Sequence, residues 1–219
     1  MDTGKINTVL VIITIGIILT VEIGIQKLPL EPLMKTGTAR CLEIVLILMV
    51  FRWFDNGLGA IGLSCDRIVP GIKKGLIWSG GFGILAAMLG ALLFFSGINP
   101  FKLLRVVLPA SKLDIVLFYI IGGLMAPLAE EIFFRGVIYG YIKKLLYKKI
   151  NKWSIPAALI ISTYLFVMAH QGSSGIPLLQ LVGGIVFCVS YEIEKSLLTP
   201  ILIHSLGNLA LFTISSGNF

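Results

Sequence analysis

The chain has 219 residues, 57% of them hydrophobic and 13% charged, with a net charge of +7 and a mean hydropathy of +0.97. Soluble domains carry about 25% charged residues, so the composition excludes an ordinary soluble enzyme. It predicts an all-α protein: one integral-membrane domain over residues 1–219, a polytopic helix bundle of about seven (six to eight) transmembrane helices. The basic residues cluster between apolar runs, as in loops that face anionic lipid, so the expected partner is the lipid bilayer and not nucleic acid. Cys41, Cys65 and Cys188 show no paired spacing, which argues against a disulfide framework or a thiolate metal site.

In chain order, the first span is expected at about 6–25, retained rather than cleaved, with Glu22 near its end. A weaker second span, 42–62, is interrupted by Arg52 and Asp55. The third, 75–98, contains no charge. The fourth, 114–142, runs through Glu130, Glu131 and Arg135, and Gly122, Gly123 and Pro127 offer places for a kink. Two spans, 153–170 and 176–191, flank a turn at 171–177. The last, 197–215, opens near Pro200. Glu22 and Glu43 read as helix-end residues that snorkel or cap. Residues 143–152 hold five lysines. Lysine-rich short loops stay cytoplasmic, so this segment is expected to be a cytoplasmic loop of a prokaryotic plasma-membrane protein, with the N-terminus inside.

The chemistry lies in the ionisable residues placed within these spans, each costing roughly 2.5–3.5 kcal/mol at mid-bilayer. Glu131 and Arg135 are four apart and share a helix face, in the favoured order for a pair. Glu130 is turned away by about 100° and has no sequence-local partner. All three could instead form a buried network that fixes helix packing, a reading that suits Glu131 and Arg135 better than Glu130. The chain's two histidines have partners at helical spacing: Phe166 precedes His170 by four, and Asn208 follows His204 by four. Either histidine alone reads equally well as a helix-to-helix hydrogen bond. Together the set is suited to hydrolysis: Glu130 and His170 to hold and deprotonate a water, His204 and Asn208 to donate to an oxyanion.

The ordered motifs EExxxR, FxxxH and HxxxN, over about Leu113–Phe212, resemble those of the CAAX protease and bacteriocin-processing family, also called the Abi family. The resemblance implies an intramembrane endopeptidase of the glutamic type, with its core at about 113–212 and no cofactor. Its substrate would be a membrane-associated peptide or protein, or a C-terminal tail or sorting segment. Eukaryotic members trim prenylated CAAX proteins; others are linked to bacteriocin immunity or to peptide maturation and sorting. By motif position Glu130 would be the general base, His170 would hold the water, and His204 and Asn208 would stabilise the oxyanion. Glu131, Arg135 and Phe166 would support them.

Two rival readings stand beside this. Glu130, His170 and His204 have the composition of a catalytic zinc site, although the HExxH helix is absent. A proton-coupled transporter or a non-enzymatic immunity protein would use the same groups as relays or packing residues, although a transporter would more often show internal repeats.

Overall fold

The structure, a computed structural model, describes residues 6–54, 57–104, 106–170 and 177–216. Among them seven long helices form the bundle and no strand occurs. Helix α1 (Thr8–Gln26) is capped by Asn7, whose side chain accepts from the Leu10 amide. Helix α2 (Pro32–Trp53) starts ten residues before the expected span at 42–62. Pro32 accounts for that correction: its fixed φ and missing N–H suit the first helical turn. Two short 3₁₀ turns lead into α3 (Ile68–Phe95), which also begins earlier than expected.

Helix α4 runs over 112–150, starting at a Ser111 cap that accepts from the Asp114 amide. It does not stop near 142. The lysine segment expected as a loop is helical to Ile150. Lysine is a good helix former, and a last turn rich in lysine suits the negative end of the helix dipole. Tertiary contacts hold it as well: Lys143 pairs with Glu192 at 2.7 Å, and Lys144 donates to the Ile6 carbonyl at 2.8 Å. The helix ends where Asn151 adopts φ 48°. Helices α5 (Ser154–Ala169), α6 (Pro177–Glu194) and α7 (Leu198–Ser216) complete the bundle. The turn expected at 171–177 falls almost wholly, and Asp55 entirely, outside the described residues.

The outward faces identify the solvent. Ile12, Ile77, Leu85 and Phe95 are 64%, 67%, 66% and 86% exposed, a surface that only lipid tolerates on this scale. Four helical stretches, Thr8–Gln26, Leu58–Phe95, Lys112–Ala169 and Leu198–Ser216, are long and apolar enough to cross a membrane. The protein is an integral membrane helix bundle.

The middle of α4 departs from regular α-helix where the kink was expected. Ile121–Met125 and Ile132–Tyr139 are wider π-helical turns. In the first, the Ala126 N–H reaches back five residues to the Ile121 carbonyl. The next such bond would come from Pro127, which has no N–H. The Gly122 carbonyl thereby left over is taken by Asn208 of α7, whose Nδ2 donates to it at 2.9 Å. Small residues allow the helices to come this close. A Cβ on Gly123 would lie 2.5 Å from Leu209 Cδ2, and one on Gly184 of α6 would lie 2.8 Å from Thr163 Cγ2 of α5.

Thr163 is β-branched and stiff within its helix, so Gly184→Val should force α5 and α6 apart. The expected cost is about 1–3 kcal/mol, as for overpacking elsewhere, read as a lower thermal unfolding midpoint in detergent.

Candidate active site

The EExxxR cluster spans the end of the regular turn Ala126–Glu131 and the second π-helical turn of α4. Its two glutamates face different surroundings. Glu131 and Arg135 have fully buried side chains and pair at 2.8 Å through Glu131 Oε1 and Arg135 Nη1. The guanidinium stands 4.4 Å from the ring centre of Phe166 on α5 and 5.0 Å from that of Phe187 on α6. Its Nη2 donates a long bond of 3.4 Å to the Gly184 carbonyl. Phe166 thus supports the cation as well as preceding His170.

Glu131 has a second partner that helical spacing could not reveal. His204 Nδ1 lies 2.9 Å from the same Oε1. That oxygen already accepts from Arg135, so the imidazole nitrogen is the donor and carries the hydrogen. The His204 ring stacks on Phe187 at 4.6 Å and 18°. Its Nε2 points toward Glu130 Oε2, 3.9 Å away. His170 is held in the same manner. Its Nδ1 lies 2.8 Å from the Phe166 carbonyl, which can only accept, so Nδ1 is protonated. Its Nε2 lies 3.5 Å from Glu130 Oε2. Two imidazoles therefore turn their distal nitrogens to one carboxylate oxygen, each with its tautomer set by the acceptor behind it.

Glu130 and His170 line a cavity of about 260 Å³. Phe133 and Phe134 form part of its wall, and the far side comes from α1 and α2 through Glu22, Arg40 and Glu43. His204 and Asn208 are not among the described residues lining this cavity. His204 stands behind Glu130, and Asn208 has one amide hydrogen committed to the Gly122 carbonyl.

Glu43 is not at a helix end. It sits mid-way along α2, is 1% exposed, and pairs with Arg40, which also pairs with Glu22. The misplaced second span hid this. Pro32 as a helix start, together with the i,i+3 spacing of Arg40 and Glu43, was the available signal. Among the described residues, no group of three or more His, Cys, Asp or Glu side chains is arranged to hold a metal ion. The tetrapeptide Gly172–Gly175 has the GxSG spacing of a serine-protease motif and lies outside the described residues.

The fold and these groups define a membrane-embedded helix bundle that confines a carboxylate and two oriented imidazoles beside a small cavity. Residues 112–210 match the family described as type II CAAX prenyl endopeptidase Rce1-like. The membrane-embedded CAAX protease MroQ of Staphylococcus aureus (strain USA300) is 33% identical over 107 residues, covering 48% of this chain and 40% of that protein. The chain thus matches less than half the length of this curated relative. No solved structure matches. The family match is confined to the C-terminal region, residues 112–210.

Arg135→Ala would leave the buried Glu131 carboxylate without its cation and free His204 to swing. Removing one partner of a buried pair typically costs about 3–5 kcal/mol. Protein yield and thermal stability should therefore both drop, which thermal unfolding and quantitative blotting of membranes would show.

Proposed function

We propose that this protein is an intramembrane endopeptidase that hydrolyses a peptide bond of a membrane-associated substrate with water activated by Glu130. The observation carrying this reading is the convergence of His170 Nε2 and His204 Nε2 on Glu130 Oε2, at 3.5 and 3.9 Å, with Glu130 and His170 lining a cavity of about 260 Å³. The membrane-embedded protease named among its relatives supports it.

In this mechanism a water in the cavity contacts Glu130 Oε2 and His170 Nε2. Glu130 takes one proton as the water oxygen bonds to the substrate carbonyl carbon. The carbonyl π bond breaks and its electron pair becomes the oxyanion. When the tetrahedral intermediate collapses, the C–N bond breaks and Glu130 returns its proton to the departing amine nitrogen.

His204 and Asn208 stabilise the oxyanion once the substrate carbonyl reaches past Glu130, since neither is among the described residues that line the cavity. His204 Nδ1 already donates to Glu131, so donation from Nε2 requires the imidazolium form. Asn208 uses the second hydrogen of its Nδ2, the first being held by Gly122. Confinement among Phe133, Phe134 and the helices limits competing water and strengthens each charge interaction. The lysine-rich end of α4 supports a cytoplasmic placement for that end, and with it a cytoplasmic N-terminus in a plasma membrane.

Glu130→Gln keeps the shape and removes the base, so turnover per folded molecule should fall by about 10²–10⁴-fold with unchanged thermal stability. Wild-type turnover by that variant would overturn the reading. Activity should also persist in purified, metal-free protein treated with phenanthroline, and in Ser174→Ala. Loss on chelation with recovery on adding zinc would establish the metal mechanism instead.

Asn208→Ala separates two roles. Loss of the Gly122 bond alone should cost about 1 kcal/mol of stability. Loss of an oxyanion donor should in addition slow turnover by about 10²–10³-fold, measured as kcat on the folded fraction.

A further inference from the structure

The wall of the cavity opposite Glu130 is charged, and the chemistry described so far makes no use of it. Arg40 of α2 reaches both Glu22 of α1 and Glu43 on its own helix, so one guanidinium is shared by two carboxylates. Both helices lie outside the matched region 112–210. All three side chains line the same cavity as Glu130 and His170.

Charge within this space does not balance. Glu22, Glu43 and Glu130 contribute three carboxylates, and Arg40 contributes one guanidinium. With all three carboxylates ionised and His170 neutral, the formal excess among these lining groups is two negative charges. Moreover, Glu43 spends only Oε2 on Arg40. Its Oε1 is buried and, among the described residues, has no hydrogen-bond partner, on a side chain only 2% exposed. A buried carboxylate oxygen left without a donor is costly, and because the Glu43 side chain lines the cavity, a donor brought into that space would relieve it. An anionic ligand would have to displace one of Arg40's two carboxylates to reach the cation. A cationic one would meet an unfilled acceptor and relieve the imbalance.

We infer that Glu43, with Glu22 and Arg40, forms a specificity subsite that takes a lysine or arginine side chain of the substrate close to the scissile bond. The inference rests on the endopeptidase reading and deepens it: the matched region supplies the reacting groups, and α1 and α2 select the sequence they act on. Arg40 keeps the two glutamates from repelling each other while the site is empty. The incoming cation takes Glu43 Oε1.

The test is a binding selection with the full-length chain carrying Glu130→Gln in lipid nanodiscs, so that bound peptides are not consumed. The probe is a positional library of short apolar peptides with acetylated and amidated ends, and bound peptides are read by mass spectrometry. Lysine or arginine should be enriched at one position over glutamine and norleucine by about tenfold or more, the scale of one charge-assisted hydrogen bond. Adding Glu43→Gln should cut that enrichment to less than about threefold, a loss of most of that bond. Glu22→Gln should lower it in part, and Arg40→Gln, by removing the internal cation, should raise it.

Absence of basic enrichment in the parent, or enrichment that Glu43→Gln leaves intact, would overturn the subsite. If Glu43→Gln does not fold by thermal unfolding, the opposite signs expected for Glu22→Gln and Arg40→Gln decide the matter, and equal signs overturn it. The selected peptides are then offered to the chain with Glu130 intact. Peptides bound through Glu43 but never cleaved would end the endopeptidase reading and leave the subsite standing.

Discussion

One carboxylate oxygen, Glu131 Oε1, organises the membrane interior of this protein. It accepts from Arg135 one turn along its own helix and from His204 on α7. The same guanidinium lies against Phe166 of α5 and Phe187 of α6. A charge pair removed from water is tolerable only where its geometry is good and its remaining valences are met, so four helices are drawn to one point. The network is not closed: among the described residues, Glu131 Oε2 and Arg135 Nε are both buried without a hydrogen-bond partner. That is a cost the aromatic packing around the cation must offset.

The adjacent glutamates do different work because a helix turns them apart. Glu131 is held inside the protein by a cation and an imidazole. Glu130 faces a cavity and, among the described residues, meets the distal nitrogens of two histidines. The acceptor behind each ring, a backbone carbonyl for His170 and a carboxylate for His204, determines which nitrogen turns forward. In the proposed mechanism, proton transfer depends on that outer layer as much as on the groups that face the cavity.

Helix irregularity is concentrated along the same segment. The widened turns of α4 and Pro127 leave the Gly122 carbonyl without a helical donor, and Asn208 meets it. An asparagine at that position repairs backbone in a medium that supplies no water to do so. Its second amide hydrogen remains for substrate in the proposed mechanism. The bond that holds α7 against α4 thus also orients the group proposed to stabilise the oxyanion.

Much was legible in the residues alone. A composition poor in charge fixes the solvent as lipid. Helical spacing then pairs Glu131 with Arg135 and separates Glu130, and a proline beside two glycines marks where α4 loses regularity. The ends of α2 and α4 were not legible, because they are decided by long-range contacts and by a proline start outweighing the hydropathy pattern: Lys143 holds to Glu192 and Lys144 to Ile6, which turns an apparent loop into helix. The His204 bond to Glu131 and the Glu22–Arg40–Glu43 wall bring together residues distant in the chain. Periodicity reports neighbours within one helix and says nothing of which helix lies opposite. Residue identity and spacing therefore determined the solvent, the helices and the ionisable groups set within them, whereas only packing between helices decided which charge faces which, since that depends on distances between chain segments that no local pattern encodes.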